Sequence, residues 1–141
     1  MEIALIAHDQ KKELMTQFCI AYHGILNKHN LCATDTTGKY ISDATGLKIE
    51  RLLSCVHGGI EQIASRISYN EIDLLLFFKD TISAPTFKEN EYNILRLCDL
   101  NNVPVATNLA TAEALILALD EGTLDWRELV NPRSRINRKD I

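Results

Sequence analysis

The sequence predicts an α/β fold, a single-domain three-layer sandwich with a mostly parallel central sheet. Short apolar runs alternate with stretches of helical periodicity from one end of the chain to the other. The run Leu74-Leu75-Leu76-Phe77-Phe78 is unbroken, as expected of a strand covered on both faces. No repeat or linker interrupts the 141 residues, a length suited to one domain. The domain is placed at residues 1–130, and 131–141 form a basic tail carrying Arg133, Arg135, Arg138 and Lys139.

The elements follow in order. Residues 2–7 are an apolar strand that ends at His8-Asp9, with Asp9 placed as a helix N-cap. Leu14, Phe18, Tyr22 and Ile25-Leu26 then recur at helical spacing. A second strand covers 31–34, followed by a loop over 35–38 and a short helix to Ala44. A third strand covers 50–54, and a helix over 59–67 places Ile60, Ile63, Ala64 and Ile67 on one face. Residues 72–78 form the clearest strand, expected to be central. A loop over 80–90, a helix over 91–100, a strand over 103–107 and a helix over 111–119 complete the pattern, with a final helical turn before Pro132.

Composition narrows the function. With 46% hydrophobic and 24% charged residues, no apolar run long enough to cross a bilayer and no leader-like start, the chain reads as a cytoplasmic protein without membrane contact. Cys19, Cys32, Cys55 and Cys98 are scattered without metal-ligand or disulfide spacing, so reduced thiols are expected, with no metal and no cofactor. A net charge of −4 with dispersed basic residues argues against duplex nucleic acid as a partner.

In such a sheet, ligands bind beyond the carboxyl ends of the strands and at helix N-termini. Four strand ends carry polar residues: His8-Asp9 with Lys12, Thr34 to Gly38, Ser54 to Gly59, and Asp80. Hydroxyls, glycine-rich backbone and one lysine are the parts that hold a phosphate.

Several segments are more specific. They are Ala7-His8-Asp9-Gln10-Lys11-Lys12, Ala33-Thr34-Asp35-Thr36-Thr37-Gly38, Ala44-Thr45-Gly46, Ser54-Cys55-Val56-His57-Gly58-Gly59-Ile60-Glu61-Gln62, Phe77-Phe78-Lys79-Asp80, and Pro104 to Ala112. In one register from Ile3 to about Leu129, they resemble the methylglyoxal synthase family. The resemblance implies phosphate contacts at Lys12, Thr34, Thr36, Thr37 and Ser54, active-site carboxylates at Asp9 and Asp80, and a homohexamer. Its active-site turn reads Ser-Gly-Pro-X-Gly-Gly-Asp-Gln-Gln, and that Asp removes a proton from dihydroxyacetone phosphate. Here Ile60 stands in its place, Phe87 stands for the family's His, and Asn90 for the Asp three positions on. Asp35 replaces a glycine of the phosphate loop, and Cys55-Val56 a Gly-Pro.

An isoleucine accepts no proton, and a general base is worth on the order of 10²- to 10⁴-fold in rate. The expectation is therefore a catalytically degenerate relative that senses or sequesters a phosphate-bearing small molecule. A nucleotide-derived signal is the most attractive cargo, with Asp35 bonding a hydroxyl and Phe87 or Tyr92 stacking on a base. The expected ligand-binding residues are His8, Asp9, Lys12, Thr34, Asp35, Thr36, Thr37, Gly38, Ser54, Cys55, His57, Gly58, Asp80 and Phe87. The alternative is an active synthase, a phosphate lyase with its base relocated to Glu61 or His57 and with Asp9 and Asp80 as further candidates. A second alternative is a regulatory subunit of an active paralogue.

Overall fold

In the computed structural model, which describes residues 1–137, five strands form one sheet in the order β3-β2-β1-β4-β5. They are β1 Glu2–Ala7, β2 Asn30–Ala33, β3 Ile49–Arg51, β4 Leu74–Phe78 and β5 Val105–Ala106. All four pairings are parallel. The helices are α1 Lys12–Ala21, α2 His23–Leu26, α3 Asp35–Thr45, α4 Gly59–Ser68, α5 Glu89–Asn101, α6 Leu109–Asp120 and α7 Arg127–Val130.

Side chains alternate across each strand, so each strand feeds two cores. Ile3, Leu5 and Ala7 of β1 join Leu74, Leu76 and Phe78 of β4 against Met15 and Phe18 of α1, Ile41 of α3 and Ile116 of α6. Ala4, Ile6, Leu75 and Phe77 pack on the other face against Ile60, Ile63 and Ile67 of α4 and Ile94 and Cys98 of α5. The expected three layers are present. The middle strand, however, is β1, with β4 beside it.

Chain order runs outward from β1 through β2 to β3, then jumps back across β1 to β4. That reversal makes the gap between the carboxyl ends of β1 and β4 the switch point, where such sheets open a crevice. His8 and Asp80 flank it.

Several local expectations change. Asp9 is not a helix cap: it starts a 3-10 turn, Asp9–Lys11, and its carboxylate pairs with Lys12. Residues 35–38 are not a loop, because α3 begins at Asp35 directly after Thr34. The third strand is shorter than expected, ending at Arg51, and the last is only Val105–Ala106. Pro104, which has no N–H to donate, immediately precedes it. Beyond α7, the segment to Asn137 folds back: Asn137 donates to the carbonyls of Glu128 and Asn131. Arg138 and Lys139 of the basic tail lie outside the described residues.

Candidate active site

The polar residues that the sequence singled out gather at the carboxyl edge of the sheet. Lys12 opens α1, and its ammonium donates to the Ala7 carbonyl at 2.9 Å and to Asp9 Oδ1 at 2.8 Å. Its side chain is 12% exposed, so the charge is held close to the strand end instead of waving in solvent. The Lys12 hydrogen bond and charge hold the Asp9 carboxyl below its usual range.

The next strand end leads straight into α3. Its first-turn amides have no partner within the helix, and the helix dipole adds positive potential there. An 11-residue helix starting at Asp35 therefore offers the backbone amides of the Thr36-Thr37 turn to an anion. Thr36 is exposed. Thr34 and Thr37 are buried, with Thr34 Oγ1 donating to Thr37 Oγ1 at 3.3 Å and Thr37 Oγ1 to the Ala7 carbonyl at 3.4 Å. These two hydroxyls tie the ends of β1 and β2 together. Asp35 makes no use of the pocket: its carboxylate accepts from Arg51, with Oδ1 2.7 Å from Nη2 and 2.9 Å from Nε. The Asp35 carboxylate, expected to bond a ligand hydroxyl, is paired toward β3 in this structure.

The turn after β3 is fixed by two glycines. A Cβ on Gly59 would stand 1.9 Å from the Leu53 carbonyl oxygen, and Gly58 adopts φ +102°, so neither position accepts an ordinary side chain without strain. Ser54 Oγ lies 2.7 Å from His57 Nδ1, and Cys55 is exposed beside them. Burial pushes the Cys19 and Cys98 thiols up to about 12 and the Cys32 thiol up to about 11, leaving them protonated. Among the described residues, no group of three or more His, Cys, Asp or Glu side chains is placed to hold a metal ion.

Ile60 and Glu61 separate sharply. Ile60 is 4% exposed and lies in the core beneath α4. Glu61 reaches outward, where Asn90 Nδ2 donates to its Oε1 at 3.1 Å. Its Oε2 comes within 3.9 Å of the point where a Gly58 Cβ would stand, so the carboxylate lies over the glycine turn.

At the switch point, the His8 amide donates to the Phe78 carbonyl at 3.1 Å, and the Asp80 amide donates to His8 Nδ1 at 3.0 Å. Asp80 Oδ1 accepts the amides of Ile82 and Ser83 at 3.1 and 3.2 Å. Bonds from Ser83 first, then Ile82, hold its carboxyl below its usual range against the opposing effect of burial. Phe87 is anchored from below: its ring meets Phe77 edge-on at 6.5 Å, and the Lys79 ammonium sits 4.6 Å from its centroid, while the side chain stays 41% exposed. Lys79 also caps the loop carbonyls of Ala84 and Thr86. Tyr92 is 66% exposed and belongs to no core.

Sequence reasoning missed Glu91. It is 2% exposed, and its Oε2 lies 2.6 Å from His8 Nε2. The available signal was a glutamate at the third position of a helix, where it bonds the amide before that helix, here Lys88 N–H to Oε1 at 2.9 Å. A lysine at the cap position hid that pattern. Two clefts of about 570 and 560 Å³ lie at the opposite end of the sheet, around Glu2, His29, Asn30 and Arg133, and neither is lined by the residues above.

A family model described as MGS-like domain matches residues 15–107. A methylglyoxal synthase of Caldicellulosiruptor saccharolyticus is 55% identical over 140 residues, 99% of each chain. One from Clostridioides difficile is 50% identical over 135 residues, covering 96% of this chain and 98% of that one. The crystal structure of methylglyoxal synthase from Elizabethkingia anophelis superposes with a TM-score of 0.75 at 37% identity, covering 82% of this chain and 76% of that one. These relatives overturn the expectation of a catalytically degenerate protein that senses or sequesters a nucleotide-derived signal, since proteins alike over their whole length bear an enzyme's name. At the glycine turn itself, Ile60 is buried, and the neighbouring Glu61 carboxylate is held over the turn by Asn90.

Proposed function

We propose, from the premise that this chain belongs to the methylglyoxal synthase family, that it is an active carbon–oxygen lyase converting dihydroxyacetone phosphate to methylglyoxal and phosphate. The observation that carries this reading is 55% identity over 99% of the chain to a methylglyoxal synthase. The phosphate is received by the Lys12 ammonium, the first-turn amides of α3, the Thr36 hydroxyl and Ser54, a set that combines one charge with oriented dipoles.

Glu61 is the base. It removes a proton from the hydroxymethyl carbon, and the electron pair moves into an enediolate. Collapse of the enediolate breaks the carbon–oxygen bond to phosphate, which leaves with the bonding pair. The enol that remains ketonises to methylglyoxal, its hydroxyl proton being lost as a proton is gained at the terminal carbon, and the proton held by Glu61 passes through solvent to the departing phosphate. Asn90 fixes one oxygen of Glu61 and leaves the other for the proton. His57 serves the anion end instead, since its Nδ1 is committed to Ser54. Asp9 keeps Lys12 in place.

The protein acts on a phosphorylated small molecule in the cytoplasm as a homo-oligomer, hexameric by family resemblance. No described helix is long and apolar enough to cross a membrane. Incubation with dihydroxyacetone phosphate tests the reading. Methylglyoxal and inorganic phosphate should appear in equal amounts, and their absence with the protein folded refutes it.

A further inference from the structure

Glu91 is a buried charge at the switch point to which the chemistry above gives no task. Taking a carboxylate out of water is costly unless its oxygens are satisfied, and both oxygens of Glu91 are. Oε1 accepts the Lys88 amide and Oε2 faces His8 Nε2. A backbone amide can only donate, so the Asp80 N–H at 3.0 Å requires a lone pair on His8 Nδ1. The neutral ring then carries its hydrogen on Nε2, aimed at Glu91. The imidazole also packs edge-on against Phe77 at 5.7 Å, which leaves it little freedom to turn.

This ring joins the ends of the two strands that bound the crevice. The residue before Glu91, Asn90, holds Glu61. The first turn of α5 therefore grips the site on both sides, His8 and the Asp80 turn through Glu91, and the base through Asn90.

We propose that Glu91 is a positioning residue for the elimination: it locks His8 as the Nε2–H tautomer, fixes the Asp80 turn against β1, and so sets the place of Glu61 relative to the phosphate site. Its kinetic part rests on the lyase reading, whereas its structural part does not. Glutamine is nearly the same shape but has one acceptor oxygen where two donors must be met. In Glu91→Gln the one acceptor oxygen stays with the Lys88 amide, which can only donate, so the side-chain NH2 faces His8 and the imidazole hydrogen moves to Nδ1, against the Asp80 N–H.

Nitrogen-15 spectra of the imidazole ring, read beside steady-state kinetics on dihydroxyacetone phosphate, test this. Wild-type His8 is expected as the Nε2–H tautomer. Glu91→Gln should shift it toward Nδ1–H and lower kcat by about 10- to 100-fold, the scale of a misplaced reacting group, with KM little changed. Glu91→Asp, which keeps two acceptors, should keep the tautomer and recover part of kcat. An unchanged tautomer in Glu91→Gln, or an unchanged kcat despite a changed tautomer, overturns the proposal. A wild-type protein without lyase activity refutes the lyase reading and the kinetic claim together, and the spectrum still decides the structural claim. Should Glu91→Gln not fold, finding wild-type His8 as Nδ1–H overturns the proposal on its own.

Discussion

Ile60 and Glu61 are neighbours on α4, yet one is core and the other faces the site, because one helical step turns a side chain by roughly 100°. Sequence position alone points to Ile60 and its missing proton acceptor. Three-dimensional placement adds Asn90, which fixes the adjacent carboxylate. Glu61→Gln keeps the size and polarity of the side chain but cannot take up a proton, so kcat should fall on the order of 10²- to 10⁴-fold. Because His57 is placed at the anion end, His57→Gln should act mainly on KM and lower kcat far less than Glu61→Gln does, and the reverse pattern in a kinetic comparison would move the base to His57. Glu91 makes a second prediction at this scale. Burial pushes its carboxyl up, but the bonds from Lys88 and His8 outweigh that and leave it below the usual carboxylate range. A carboxyl depressed in the folded state adds stability above its unfolded value, and that stability is lost as pH falls through the folded value. Denaturant unfolding of Glu91→Gln should therefore show a shallower loss of stability below pH 4.5 than wild type.

Among the elements, α3 shows where residue preference misleads. Asp35-Thr36-Thr37-Gly38 consists of turn formers and reads as a loop, whereas the chain turns helical at once after Thr34. Tertiary contacts decide it: Ile41 packs into the core, and Asp35 is paired with Arg51. No sequence pattern announces that pairing, because Arg51 lies on a strand 16 positions away. The helix start at Asp35 places the amides of residues expected to form a loop at a helix N-terminus, the place where the proposed reading seats the phosphate. The glycine turn before α4 was legible in type but not in its cause. Gly59 is required by the Leu53 carbonyl, a contact that only the fold creates. Gly59→Ala should cost about 1–3 kcal/mol by overpacking and displace Ser54 with the turn. Thermal unfolding and KM for dihydroxyacetone phosphate, measured together, check both effects.

The whole molecule is closed at the end away from the site by a buried clamp. Arg127 is fully buried and donates to Asp73 and to the carbonyls of Asn101 and Ile72, while Asn131 and the Glu2 amide complete the Asp73 carboxylate. Arg127→Met leaves that carboxylate short of a partner in the interior, at a cost of about 3–5 kcal/mol. A fall in Tm on the order of 10 °C is expected, with kcat at low temperature preserved because the clamp and the site lie at opposite strand ends. The α/β class was legible because unbroken runs such as residues 74–78 leave few other folds open. That these polar strand-end residues lie together at one edge of the sheet was legible for the same reason. The grip of α5 on that site was not, since Asn90 and Glu91 acquire partners 29 and 83 positions away only once the sheet has formed. The most direct test of the central claim is the rate at which purified wild type and Glu61→Gln release phosphate and methylglyoxal from dihydroxyacetone phosphate. Equimolar, multiple-turnover formation by wild type that collapses in Glu61→Gln is the predicted result. No formation above the spontaneous rate by wild type, or equal rates for the two proteins, would contradict it.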